Sequence, residues 1–139
     1  MNYLLDTCVL SEFTRRKPEE KVISWVEKIN EEKLFISVVT IGEIQRGIER
    51  LAESQRKTEL LVWINTHLID RFGTRSLPID TQTMLLWGSL TTKMEKIGRP
   101  MGLMDSLIAA TAFQHNLIIV TRNGSDFLPC GVSVINPWE

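Results

Sequence analysis

The fold this sequence predicts is a three-layer α/β sandwich, a parallel sheet of about five strands flanked by helices. Short apolar and β-branched runs recur from end to end, and the longer stretches between them carry apolar residues at helical spacing. Strands separated by helices pair in parallel, because each crossover helix returns the chain to the same end of the sheet. Acidic residues stand at the edges of several apolar runs: Asp6 in YLLDT, Glu43 in TIGEI, Asp105 in GLMDSLIAATA and Asp126 in TRNGSDF.

In chain order, Asn2–Leu5 reads as a short buried strand, with Asp6 marking its carboxyl end. Pro18 followed by Glu19 and Glu20 begins a helix, since proline suits a first turn, and Val22, Trp25, Val26 and Ile29 fall on one face. Leu34–Val39 is β-branched and aromatic, hence a second strand; a helix over Thr40–Leu51 then buries Ile41, Ile44, Ile48 and Leu51. A further amphipathic helix fits the stretch from Ser54 to Ile69, with Leu61, Ile64 and Leu68 inward. Arg75–Ile79 is a short strand that Pro78 assigns to an edge or a strand end. Asp80 caps the next helix, which carries Met84, Trp87, Leu90 and Met94 before Gly98 and Pro100 stop it. Asp105 opens a helix that runs through Ser106 to Gln114, Leu117–Val120 is a buried strand, and Val132–Ile135 is the last.

The chain has 139 residues, 43% hydrophobic and 24% charged, which suits one domain over 1–139 with one core. No stretch approaches the roughly 20 apolar residues that cross a bilayer, and the run before Asp6 is too short for a signal peptide, so a cytoplasmic protein without membrane attachment is expected. Cys8 and Cys130 lack zinc-site spacing and are too few for a disulfide framework, so both are expected as reduced thiols, with Cys8 packed as a small hydrophobe. Sixteen Lys and Arg against seventeen Asp and Glu leave a formal charge of −1, which excludes nucleic-acid binding driven by bulk charge alone. Arg15 to Lys17, Arg46, Arg50, Arg56, Lys57, Lys93, Lys96 and Arg99 are candidates for phosphate contacts where they converge; otherwise they are solvated helix faces. Trp138 is either an interface residue or a lid on the core.

In an open parallel sheet, ligands bind beyond the carboxyl ends of the strands, where strand order reverses. With the first and fourth strands as central neighbours, Asp6 and the loop Thr121–Phe127 open onto one crevice. Each acid also has a purely structural explanation. Thr40-Ile-Gly-Glu43 matches the S/T-x-x-E capping box, and Asp6 and Asp105 can each cap a helix. Capping, however, does not require several carboxylates to share one crevice. Carboxylates so gathered repel one another unless one is protonated or a cation bridges them. Mg²⁺ and Mn²⁺ take oxygen ligands, keep several waters and support phosphodiester hydrolysis, as one ion or two.

YLLDTCVLSE, ISVVTIGEIQRGI and GLMDSLIAATAFQHNLIIVTRNGSDF together resemble the PIN-domain ribonucleases, in particular the VapC and FitB type toxins of bacterial toxin–antitoxin pairs. The three stretches come in the family's order and span most of the chain. The resemblance implies a PIN-like sheet, RNA cleavage dependent on Mg²⁺ or Mn²⁺, and inhibition by a cognate antitoxin. It also implies a homodimer, a larger complex with the antitoxin, a basic antitoxin side chain near the acids, and transfer or ribosomal RNA as substrate. Carried over by position, Asp6 and Asp105 are expected as direct metal ligands, and Glu43 as a ligand directly or through water. Thr121 matches the small hydroxyl residue after the fourth strand, suited to orienting a water or phosphate. Where many family members have Asp this chain has Asn123, which brings no charge and would hold a second ion more weakly. Asp126 is therefore expected as the remaining carboxylate.

Two other classes compete. A haloacid-dehalogenase-like phosphatase requires a second Asp two residues after the first, where this chain has Cys8, and a response-regulator receiver requires an acceptor Asp and a Lys that are missing from suitable context. A non-catalytic RNA- or protein-binding module on the same scaffold is favoured by Asn123 and opposed by the clustered acids.

Overall fold

The computed structural model describes Met1–Glu139. β1 (Tyr3–Leu5) leads directly into α1 (Thr7–Glu12), capped by Asp6, whose side chain accepts the Thr7 backbone N–H. α2 (Glu20–Lys28) buries Val22 and Val26, and one 3-10 turn at Glu31–Lys33 precedes β2 (Leu34–Ser37). α3 (Val38–Glu49) begins at once. α4 (Gln55–Trp63) continues through a π-helical segment, Ile64–Ile69, into the single turn α5 (Asp70–Phe72). β3 (Ser76–Leu77), α6 (Thr81–Lys96) and α7 (Leu103–His115) follow. The chain ends with β4 (Ile118–Val120), α8 (Gly124–Phe127), a 3-10 turn at Leu128–Cys130 and β5 (Val134–Ile135).

All five strands are parallel, in the order β3-β2-β1-β4-β5, so the chain winds outward from β1 in both directions. Tyr3 of β1 is in register with Leu34 on one side and Ile118 on the other. Alternation along the strands separates two apolar layers. Leu5, Leu34, Ile36 and Val120 pack with Val9, Val26, Ile44, Ile64 and Leu68. Leu4, Leu77 and Ile119 face the opposite way, onto Leu90, Met94, Ile108 and Phe127. A sheet buried on both faces is the three-layer sandwich, and it explains why these strands are apolar without interruption. Each fully buried Leu or Ile contributes roughly 1.5–3 kcal/mol. No helix is long and apolar enough to cross a membrane.

Several boundaries differ from expectation, each for a local reason. Val38 and Val39 belong to α3, because the Ser37 side chain accepts the Val39 backbone N–H at 3.0 Å and caps a helix starting two residues earlier than the sequence suggests. Leu51 lies past the end of that helix and is exposed. The helix from Gln55 widens into the π segment, where Asn65 and Thr66 side chains donate back to the carbonyls of Leu61 and Val62. It then runs on to Phe72, and Leu61 is only partly buried. Pro78 follows β3, which is an edge strand as expected. Asp80 caps α6 in a reciprocal capping box with Thr83, although Met84 is exposed. Gly102, rather than Asp105, precedes the first residue of α7. The short helix α8 had no counterpart in the apolar pattern.

Candidate functional site

The centre of the sheet brings together residues from opposite ends of the chain. Leu5 pairs with Val120, so the next residues, Asp6 and Thr121, emerge side by side at the carboxyl ends of β1 and β4. The Asp6 N–H donates to the Val120 carbonyl at 3.0 Å, extending the ladder by one bond. Thr121 Oγ1 donates to Asp6 Oδ2 at 2.8 Å, and the Thr7 N–H donates to Asp6 Oδ1 at 2.8 Å. Asp6 thus caps α1, yet each oxygen keeps lone-pair capacity beyond the bond it accepts. Thr121, completely buried, spends its proton on this carboxylate and accepts the Asn123 N–H at 3.0 Å.

β2 lies beside β1, and α3 leaves its carboxyl end, which carries Glu43 back toward the same crevice. Thr7 Oγ1 donates to Glu43 Oε1 at 2.8 Å. The capping-box explanation of Glu43 fails here: Ser37 caps the helix, while Thr40 is buried inside it with no partner for its hydroxyl. Asp105 projects from the first turn of α7 and makes no capping bond. Asp126 lies on α8 and shares a cleft of about 310 Å³ with Asp105, Arg99 and Ser125. Asn123 precedes α8, and its side chain caps nothing.

The four acids act on one another electrostatically. Asp105 is pushed up to about 6, first by burial and then by the charges of Asp6, Asp126 and Glu43. Burial also raises Asp6, aided by the Asp126 charge and opposed by the bonds from Thr121, Thr7 and Cys8. Glu43 rises by burial and by the Asp6 charge, against the Thr7 hydrogen bond. No ion pair reaches any of the four; the salt bridges of this chain use Glu12, Glu31 and Glu53. The crevice therefore concentrates negative charge that no ion pair neutralises.

This donor set suits a hard divalent cation. No three of the His, Cys, Asp and Glu side chains stand together closely enough to hold an ion by themselves, so waters would have to complete any site. An ion of the Mg²⁺ type keeps several waters and needs only one or two carboxylates, whereas Zn²⁺ favours four-coordinate sites rich in nitrogen and sulfur.

Sequence reasoning missed Thr7, whose hydroxyl joins Glu43 to the Asp6 turn across 36 positions. It also gave Cys8 too small a place. Cys8 does pack against the first apolar layer, but its Sγ lies 3.5 Å from Thr121 Oγ1 and 3.9 Å from Asp6 Oδ2. Burial raises its thiol. Among the basic candidates, Lys57 is withdrawn. It is buried, and its ammonium donates to the carbonyls of Glu49 and Leu51 and to Glu53. Arg15 is paired with Glu12, and Arg56 donates to the Thr14 carbonyl. Arg46 and Arg50 line a cleft of about 480 Å³ that also holds Glu43, with Val39 and Met104 on its walls. Lys93 and Lys96 line a separate groove on α6.

Known proteins carry the same pattern. The PIN domain family matches residues 3–128. Toxin FitB of Neisseria gonorrhoeae is 32% identical over 98% of this chain and 98% of its own length. VapC ribonuclease Y4jK of Sinorhizobium fredii is 30% identical over 98% of this chain and 97% of its own. The solved structure of FitAB bound to an IR36 DNA fragment contains a chain with a TM-score of 0.93 and 31% identity, covering 99% of this chain and 96% of that one. With the family model matching residues 3–128, and overall shape and sequence agreeing with relatives along nearly the whole length, this chain belongs to the PIN domain family.

Proposed function

We propose that this chain is the toxin of a toxin–antitoxin pair and acts as an endoribonuclease dependent on Mg²⁺ or Mn²⁺. The observation that carries the reading is the convergence of Asp6, Glu43, Asp105 and Asp126 from distant segments, with no ion pair to any of them. The name of the Y4jK relative, a VapC ribonuclease, supports RNA as the substrate, and that of FitB supports the toxin role. Asp6 and Asp105 would hold the ion directly, with Glu43 a ligand directly or through water. Asp126 would be the fourth acid, with Asn123 as a neutral neighbour. When bound, such an ion activates a water and screens the charge developing on the phosphodiester.

The residues of the chain prepare that chemistry. Thr121 and the Thr7 N–H fix both oxygens of Asp6, so its carboxylate orientation is set in advance. The Thr7 hydroxyl holds one oxygen of Glu43 and leaves the other free. Arg46 and Arg50 on one side, and Arg99 on the other, offer positive charge to phosphates on either side of the acids. Exposed Leu85, Leu103 and Met104 on α6 and α7 offer apolar surface for a second copy or an antitoxin, in keeping with a homodimer within a larger complex.

Partner-free protein should cut transfer or ribosomal RNA with Mg²⁺ or Mn²⁺ and stop in EDTA, while Asp6→Asn and Asp105→Asn should lose about a hundredfold or more. A non-catalytic module, the reading that Asn123 favours, would instead leave RNA intact under every condition. Equal cleavage by the wild type and both variants would overturn the assignment.

A further inference from the structure

We propose that the C-terminal segment Asn136–Glu139 is a strap that holds Arg122, and through it the loop presenting Thr121 to Asp6, so that Arg122 is a positioning residue of the acid centre. The inference rests on the metal-binding reading above for its purpose, though not for its geometry.

Arg122 lies between the two residues of this loop that meet at the site. On one side Thr121 bonds Asp6, and on the other the Asn123 N–H returns to Thr121 Oγ1. The Arg122 N–H itself donates to Cys8 Sγ at 3.5 Å. Its side chain turns elsewhere. The guanidinium stacks on the Trp138 ring, 4.4 Å from the centroid, and reaches Glu12 at 4.0 Å. Glu12 is a buried carboxylate at the end of α1, already bonded to Arg15 and to the Glu19 N–H at 2.8 Å. Glu12 is thus shared with other donors and at the edge of ion-pair distance, whereas 4.4 Å from the centroid is well within cation–π range, which makes the ring face the main hold on Arg122. The half-exposed Arg122 guanidinium forms an ion pair with Glu12 and with none of Asp6, Glu43, Asp105 and Asp126. It is thus placed to anchor the loop rather than to bind at the acids.

The strap is built for that position. The Thr121 N–H donates to the Ile135 carbonyl at 3.0 Å, so the loop and the last strand leave the sheet together. Asn136 Oδ1 then accepts the Trp138 N–H at 2.9 Å, a turn that brings the indole back over Arg122 and against the first apolar layer.

Alkylation of the full-length chain by iodoacetamide, resolved by peptide mass spectrometry, tests the strap without metal. Cys8 reports the loop, and buried Cys130 reports the rest of the fold. In Trp138→Ala and in Arg122→Gln, the Cys8 thiolate, its rate taken from the high-pH plateau so that the lost Arg122 charge does not enter, should react about fivefold faster than in the wild type, with Cys130 unchanged, while Trp138→Phe keeps a ring face and stays near the wild-type rate. Arg122→Gln leaves Trp138 in place, so it decides the matter if Trp138→Ala loosens both cysteines. Wild-type reactivity of Cys8 in Arg122→Gln would overturn the proposal. Mn²⁺ titration followed by electron paramagnetic resonance then tests the purpose: both fast-reacting variants should bind Mn²⁺ about fivefold more weakly. Unchanged Mn²⁺ affinity in a variant with faster Cys8 would overturn the link to the site. Absence of Mn²⁺ binding by the wild type would overturn the metal-binding reading and that link with it, while the Cys8 rates would still decide the strap.

Discussion

Thr7 does two things with one residue: its N–H fixes Asp6, and its hydroxyl fixes Glu43. Thr7→Val keeps the volume and the N–H but removes the hydroxyl, leaving Glu43 without its only side-chain donor. That bond favours the charged form of Glu43, so its loss raises the Glu43 pKa further and loosens the carboxylate. Cleavage by Thr7→Val should fall about tenfold, equivalent to about 1.4 kcal/mol, with little change in melting temperature. A kinetic assay beside a melting curve separates the two; an equal loss of stability would assign Thr7 to the fold instead. The sequence names Asp6 and Glu43 by their context, but nothing in it announces Thr7. A hydrogen bond across 36 positions leaves no periodic trace, and Cys8 looks like core because its neighbours Val9 and Leu10 are core.

The strands and helices were legible wherever periodicity was strong, and boundaries failed where two local signals competed. Val38 and Val39 continue the β-branched pattern of β2, but the Ser37 side chain has a helix N–H to accept, and that bond starts α3. The shift matters because it disqualifies Thr40 as a cap and frees Glu43 from the capping box. Ser37→Ala should destabilise the protein by about 1 kcal/mol, measured by urea unfolding, whereas Thr40→Val should cost less because its buried hydroxyl has no partner. The reverse order would mean that the helix is capped at Thr40 after all. Asp105 shows the same competition in weaker form. Gly102 in extended conformation begins α7 and moves Asp105 into the first turn, where its carboxylate makes no capping bond.

Taken as a whole, the molecule is a parallel sheet whose strand order places four acids at one end, at an electrostatic cost to the fold. Asp6, Glu43 and Asp105 all have pKa values raised by burial, Asp105 to about 6. The folded chain therefore binds protons more tightly than the unfolded chain, and this part of its stability falls as pH rises from the ordinary carboxylate range through about 6. Glu31 and Asp80, whose values are lowered by their partners, act in the opposite direction only at the acid edge of that window and contribute little above about pH 5, where they are ionised in both states. In EDTA the melting temperature should be lower at pH 7 than at pH 5, and Mn²⁺ should reverse the order by binding the ionised acids. A melting temperature in EDTA that rises from pH 5 to pH 7 would contradict the clustering. The parallel sheet follows from the apolar runs, whereas the β1–β4 adjacency entered only as a condition and Thr121 only through the family resemblance. The electrostatic coupling among the acids depends on side-chain placement that spacing does not encode.

The most direct measurement is a calorimetric titration of Mn²⁺ into the partner-free chain at pH 7 and pH 5, beside Asp105→Asn. Saturable binding at pH 7, about tenfold weaker at pH 5 and weakened at least as much in Asp105→Asn, is the predicted result. Identical isotherms at both pH values and in the variant would show that the acids do not form a cation site.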